Sequence, residues 1–105
     1  MGPEARIERA SAAYAKRRGC WALKLLPSIT GLPDRLILGP GAVVWFVEFK
    51  APGGRLSTRQ VLVTEALRRF GFKVSIMDDA RDFKLVLDSL LLSRQNAVSP
   101  PRSKK

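Results

Sequence analysis

AVVWFVEFKAPGGRLSTRQ, residues 42 to 60, decides how the rest of the chain is read. Val43 to Phe49 is a run of β-branched and aromatic residues, the composition of a strand buried on both faces and hence of a central strand. Ala51-Pro52-Gly53-Gly54 cannot continue a ladder and reads as a loop. Ser57 and Gln60 then stand at the S-x-x-Q spacing of a capping box. Val63, Ala66, Leu67 and Phe70 follow at helical spacing, and Gly71 stops the helix. Beyond it FKVSIM, residues 72–77, alternates as a second strand with Phe72, Val74 and Ile76 on one face. A strand, a helix and a strand in this order call for a parallel crossover.

Upstream, Gly39-Pro40-Gly41 is a tight reversal that returns the chain to a strand from Asp34 to Leu38. PSITGLP, residues 27–33, is turn chemistry, and CWALKLL, residues 20–26, is a short apolar strand bounded by Gly19 and Pro27. Residues 4–18 carry Ile7, Ala10 and Tyr14 at helical spacing. Downstream, Asp79 caps a third helix whose stripe is Phe83, Val86, Leu87, Leu90 and Leu91. From Ser93 the periodicity is lost, so the expected division is a folded unit over 1–92 and a disordered basic tail over 93–105. The order α-β-β-β-α-β-α predicts a small α/β domain with a mixed four-stranded sheet and flanking helices. Trp21, Trp45, Phe46 and Phe49 all fall in strands and are expected in the core, leaving no aromatic platform for stacking bases.

Composition narrows the chemistry. The 105 residues include 19 Lys plus Arg against 9 Asp plus Glu and no histidine, a formal net charge of +10. Without histidine, catalysis by a Ser-His-Asp or Cys-His site or by an imidazole base is excluded. Cys20, the one cysteine, offers neither an internal disulfide nor a metal cluster, which fits a reducing compartment. No apolar run approaches the ~20 residues of a membrane span, and the charged start has no apolar signal core, so a soluble, unprocessed chain is expected. The positive excess points to a polyanionic partner such as DNA.

Acids are scarce in such a chain. Glu48 and Lys50 share one face at the end of the central strand, where charges are costly to bury unless they pair or bind something. The short reversal brings Asp34, at the start of the preceding strand, beside Glu48. Two close carboxylates repel unless a cation lies between them, and oxygen ligands suit Mg²⁺ or Mn²⁺. Such an ion assists phosphodiester hydrolysis, and the Lys50 ammonium favours the charge that develops on the phosphoryl group. The simpler reading is a strand-end ion pair and a turn aspartate.

Gly31-Leu32-Pro33-Asp34 and Glu48-Phe49-Lys50, continued as KAPGG at Lys50–Gly54 and by Gln60, resemble the PD-(D/E)xK nuclease superfamily, and within it the virus-type replication-repair nuclease (VRR-NUC) domain. The likeness spans roughly residues 4 to 90. It implies a restriction-endonuclease-like fold and a divalent-metal-dependent DNA endonuclease. The metal would be held by Asp34, Glu48, the main-chain carbonyl of Phe49 and an acid of the first helix. Glu8 is the favoured acid and Glu4, one turn earlier, the alternative. Gln60 joins the catalytic set through the resemblance, although the capping box already accounts for it. Lys24 resembles a lysine that such domains place in the first strand to contact the DNA backbone; a snorkelling edge-strand lysine is the other reading. Arg35, Arg55 and Arg59 suit phosphate contacts near the site. Stand-alone domains of this size resemble phage and bacterial enzymes that act as homodimers on branched DNA, including Holliday junctions. The rival expectation is a non-catalytic basic DNA-binding or nuclease-accessory module with the same fold.

Overall fold

The computed structural model describes residues 1–26 and 28–97. The elements follow the expected order: α1 (Pro3–Arg17), β1 (Trp21–Lys24), β2 (Arg35–Gly39), β3 (Val43–Phe49), α2 (Thr58–Arg69), β4 (Lys73–Met77) and α3 (Ala80–Ala97). The sheet order is β1-β2-β3-β4, with β1, β2 and β3 an antiparallel meander and β4 parallel to β3. The domain is therefore the small mixed α/β sandwich that the element order predicts. Among the described residues no helix is long and apolar enough to cross a membrane.

Strand alternation gives the sheet two unequal faces. Val43, Trp45, Val47 and Phe49 point to one face, with Ile37 beside them on β2, and all are buried beneath α1 and α3. Trp45 stacks on Phe83 of α3 at 4.9 Å between ring centroids, and its indole N–H donates to Ser75 Oγ at 2.8 Å. Leu87 and Leu91 complete the α3 stripe. α1 is tied to α3 through Asp88, which accepts from Tyr14 Oη at 2.5 Å and pairs with Arg18.

The other face carries α2 alone, and burial there is graded. Along β3 the exposure falls from Val44 (39%) through half-buried Phe46 to Glu48 (3%). The expected burial of the central strand on both faces thus holds only at its C-terminal end, because one helix cannot cover four strands. Trp21, expected in the core, is 68% exposed for the same reason: it is on the uncovered face of an edge strand.

Three local features position the site. The capping box forms at α2, Ser57 Oγ accepting from the Gln60 amide at 3.1 Å and Gln60 Oε1 from the Ser57 amide at 2.9 Å. Asp79 starts α3 by accepting from the Arg81 amide at 2.7 Å. Gly31 adopts φ +94° where a Cβ would stand 2.9 Å from the Arg59 carbonyl oxygen, so the loop before Asp34 lies directly on the first turn of α2. At the other end, α3 runs through Ala97, past the expected boundary at residue 92. Leu91 packs in the core, and Arg94 Nε donates to the Gly41 carbonyl at 2.7 Å, which anchors one more turn. Residues 98–105 of the expected tail lie outside the described residues.

Candidate active site

The C-terminal end of β3, the residue before β2 and the first turn of α2 meet at one point. Asp34 precedes β2, and its Oδ2 accepts from the Phe49 amide at 2.9 Å, so the meander fixes it to the backbone next to Glu48. Glu48 Oε2 accepts from Gln60 Nε2 at 3.0 Å and lies 3.4 Å from Lys50 Nζ. Glu48 Oε1 is buried with no hydrogen-bond partner. Among the described residues the other such side-chain atom is the Ser11 hydroxyl, a neutral group on a helix, for which the penalty is smaller.

Gln60 does two things at once. Its carbonyl oxygen closes the capping box, which turns its NH₂ toward the Glu48 carboxylate, and a single amide orientation satisfies both bonds. The sequence spacing revealed the cap, whereas the bond to Glu48 exists only because the parallel crossover lays α2 over the end of β3.

Burial pushes the Glu48 carboxyl above the ordinary glutamate value, and the neighbouring Asp34 charge adds to the shift. Lys50 opposes it in part, and Glu4 on α1 raises it further. These opposing pulls describe a carboxylate that lacks sufficient positive charge around it.

The first-helix acid expected in this set is elsewhere. Glu8 Oε2 accepts from Lys24 Nζ at 2.8 Å and from Arg35 Nε at 2.7 Å. Burial acts to raise the Glu8 carboxyl, but the hydrogen bonds and charges of Lys24 and Arg35 outweigh it and hold the group below the usual range. Glu4, one turn nearer the N-terminus, is the helix acid whose field reaches Glu48. The favoured trio of Glu8, Asp34 and Glu48 is therefore not assembled, and among the described residues no three acidic, cysteine or histidine side chains converge. The reason is register: β1 and β2 pair Lys24 with Arg35, and this doublet faces Glu8 and captures it.

The expected DNA contacts divide accordingly. Lys24 and Arg35 are engaged by Glu8, and Arg35 also donates to the Ala22 carbonyl at 2.9 Å. Arg59 is exposed with its Nε on the Thr30 carbonyl at 3.1 Å, and Arg55 is exposed in the loop after Lys50.

No protein-family model matches the chain. It is 31% identical over 85 residues, 80% of this chain and 90% of the relative, to a protein of Acyrthosiphon pisum secondary endosymbiont phage 1 named "Putative nuclease p44". It also superposes on a solved structure described as a VRR_NUC domain, with a TM-score of 0.76 and 23% identity, covering 84% of this chain and 97% of the other.

Proposed function

Because the chain belongs to the VRR-NUC family of nucleases, we propose that it is a divalent-metal-dependent, structure-selective DNA endonuclease that acts as a homodimer on branched DNA such as a Holliday junction, in the cytoplasm of a bacterial cell. The observation that carries the reading is the buried, unpartnered Glu48 Oε1 beside Asp34. A buried carboxylate oxygen with no protein donor is costly, and a hard cation is a group that relieves it. The donor set fits: two carboxylates and the end of a strand, all oxygen. Asp34, Glu48 and the main-chain carbonyl of Phe49 are assigned to hold Mg²⁺ or Mn²⁺, with Glu4 the outlying acid. Such an ion, when bound, supplies Lewis acidity toward the phosphodiester and makes water a better nucleophile.

The chain's own residues do the rest. Gln60 fixes the Glu48 carboxylate in one orientation, and the Phe49 amide does the same for Asp34. Lys50, only 17% exposed along its side chain, keeps an ammonium in a partly dehydrated place where it stabilises negative charge building on the phosphoryl oxygens more strongly than it would in water. Arg55 and Arg59 flank this point as backbone contacts that carry no base specificity. The Glu8 pair with Lys24 and Arg35 braces α1 against the sheet.

Incubation of the purified protein with labelled linear, flap and four-way DNA, with EDTA, Mg²⁺ or Mn²⁺, tests the proposal. Cleavage that requires the cation and favours the four-way substrate is expected. Absence of cleavage with either ion refutes the enzyme, and equal cleavage of linear and four-way DNA refutes the structural preference.

A further inference from the structure

β1 is an edge strand of the sheet, and Trp21 begins it on the face that α2 leaves bare. The indole is 68% exposed, whereas Trp45, the other tryptophan, is fully buried. An exposed aliphatic residue is ordinary on any surface, but tryptophan is on average well buried. Beside it a cleft of about 410 Å³ lies between α1 and β1, with Ala12, Ala13 and Ala22 along it and Lys16 and Arg35 in its walls. That volume is in the range of sites for small planar ligands. No acidic side chain lines it. Arg35 is already held by Glu8, but Lys16 is exposed and has no ion-pair partner among the described residues.

An indole open to water, an alanine-lined cleft and a free ammonium together suit a flat ring that carries a negative charge. We propose that Trp21 is a stacking platform for an unpaired base of the DNA, with Lys16 on the adjoining phosphate; the inference rests on the branched-DNA reading above and names the side chain that tells a branch from a duplex. Stacking is indifferent to base identity, since every base has a π-face. In a duplex a base must first be unpaired and unstacked to reach the indole, a cost that is least where the base is already single-stranded. At a crossing or a flap such bases are at hand. Trp21 therefore selects structure without reading sequence.

The strand register leads from this platform to the acids. Trp21, Leu38 and Val44 form one row across three strands, and Leu23, Leu36 and Phe46 form the next. One row further lie Asp34 and Glu48, where the Leu25 amide donates to the Asp34 carbonyl at 3.0 Å. Nothing charged stands in the two rows between. Two strand spacings across and four residues along separate Trp21 from Glu48 by about 16 Å. At about 3.4 Å for each stacked nucleotide of one strand, this is roughly five nucleotides. The base on Trp21 and the phosphate at Glu48 thus belong to the same short stretch beside the branch point.

Fluorescence titration in EDTA, where nothing is cut, tests the platform, because Trp21 is the tryptophan that a ligand can reach. The probes are a single-stranded oligothymidylate, a blunt duplex and a four-way junction. Saturable quenching by the single strand is expected. Trp21→Ala should weaken binding of the single strand and the junction about tenfold, within the range for one base stacked on an aromatic ring, and change duplex binding less than twofold. Trp21→Phe should restore most of the loss. Lys16→Gln should lower the single-strand salt slope by about 0.7, the share of one phosphate. Thermal melts confirm that the three variants remain folded. Emission unmoved by the single strand, or equal losses on duplex and junction in Trp21→Ala, overturns the proposal. So does emission that shifts with protein concentration alone, which would mean that a second copy covers the indole. Junction-selective cleavage that survives Trp21→Ala overturns this inference and leaves the nuclease reading standing. A protein that never cuts, yet whose Trp21 is quenched by the single strand, upholds the platform and refutes only the enzyme reading.

Discussion

Replacing Glu48 by Gln should strengthen the metal-free fold while removing the metal response, two effects of opposite sign at one residue. The carboxylate is 3% exposed, and one of its oxygens lacks any partner. Exchanging the buried charge for a neutral amide removes the ionic part of the desolvation cost, about 1–3 kcal/mol, although the amide NH₂ then takes the unpartnered position. Against this, Lys50 loses its counter-ion. Its side chain retains 17% exposure and some hydration, which limits that loss to about 1 kcal/mol. A net gain of about 1 kcal/mol corresponds to roughly 4–8 °C in Tm for a domain near this size. Burial raises the folded-state Glu48 carboxyl above its unfolded value, so its favourable contribution is present below the unfolded value and lost as pH rises through the folded one. The gap between Glu48→Gln and the parent protein should therefore open with rising pH above the ordinary carboxylate range and close in acid. Adding Mn²⁺ at about one hundred times its Kd should stabilise the parent by about 2.7 kcal/mol and leave the variant unmoved. Thermal melts in EDTA and in Mn²⁺ across a pH series measure all three quantities. A variant less stable than the parent in EDTA at neutral pH, or an equal Mn²⁺ response in both, refutes the reasoning.

Lys50→Ala should abolish cleavage with DNA binding nearly unchanged, because its charge acts on one phosphoryl group; a folded variant that still cuts sinks that role. Glu8→Gln should leave calorimetric Mn²⁺ titration intact yet lower stability by about 1–2 kcal/mol through the loss of the bridge to Lys24 and Arg35, whereas Glu4→Gln should weaken Mn²⁺ binding with little change in the melt. The pH signature of Glu8 is opposite to that of Glu48: its depressed carboxyl contributes stability above the unfolded value that is lost as pH falls through the folded one. DNA affinity should fall steeply with salt, with a log-log slope of about −0.9 for each phosphate neutralised on duplex DNA, and a flat response would mean that the +10 charge serves another partner.

The architecture was legible because each element carries its own punctuation. Gly39-Pro40-Gly41 forces the reversal, Ser57 and Gln60 start α2, Gly71 ends it, and Asp79 starts α3. Those signals act over a few residues, and the antiparallel and parallel pairings follow from the lengths of the connections between them. The pairing of Asp34 with Glu48 was legible for the same reason, since a meander with a short reversal leaves few registers in which both can lie at the strand ends. The boundary at Ser93 was not, because the contact that carries α3 onward, Arg94 to the Gly41 carbonyl, spans 53 residues.

What claims Glu8, what Gln60 holds and where the apolar surface stays open were decided by tertiary structure. Glu4 and Glu8 share one helix face and are equivalent to any periodicity argument; only the β1–β2 register, which sets Lys24 beside Arg35, claims Glu8 and leaves Glu4 to act on Glu48. Trp21 and Trp45 have the same strand propensity and hydrophobicity, yet one is 68% exposed and the other 0%. Propensity records how a side chain suits a pleated strand, whereas burial depends on which helix lies over that strand, and the single helix on the Trp21 face is tethered by its short connections to β3 and β4 and does not reach the edge.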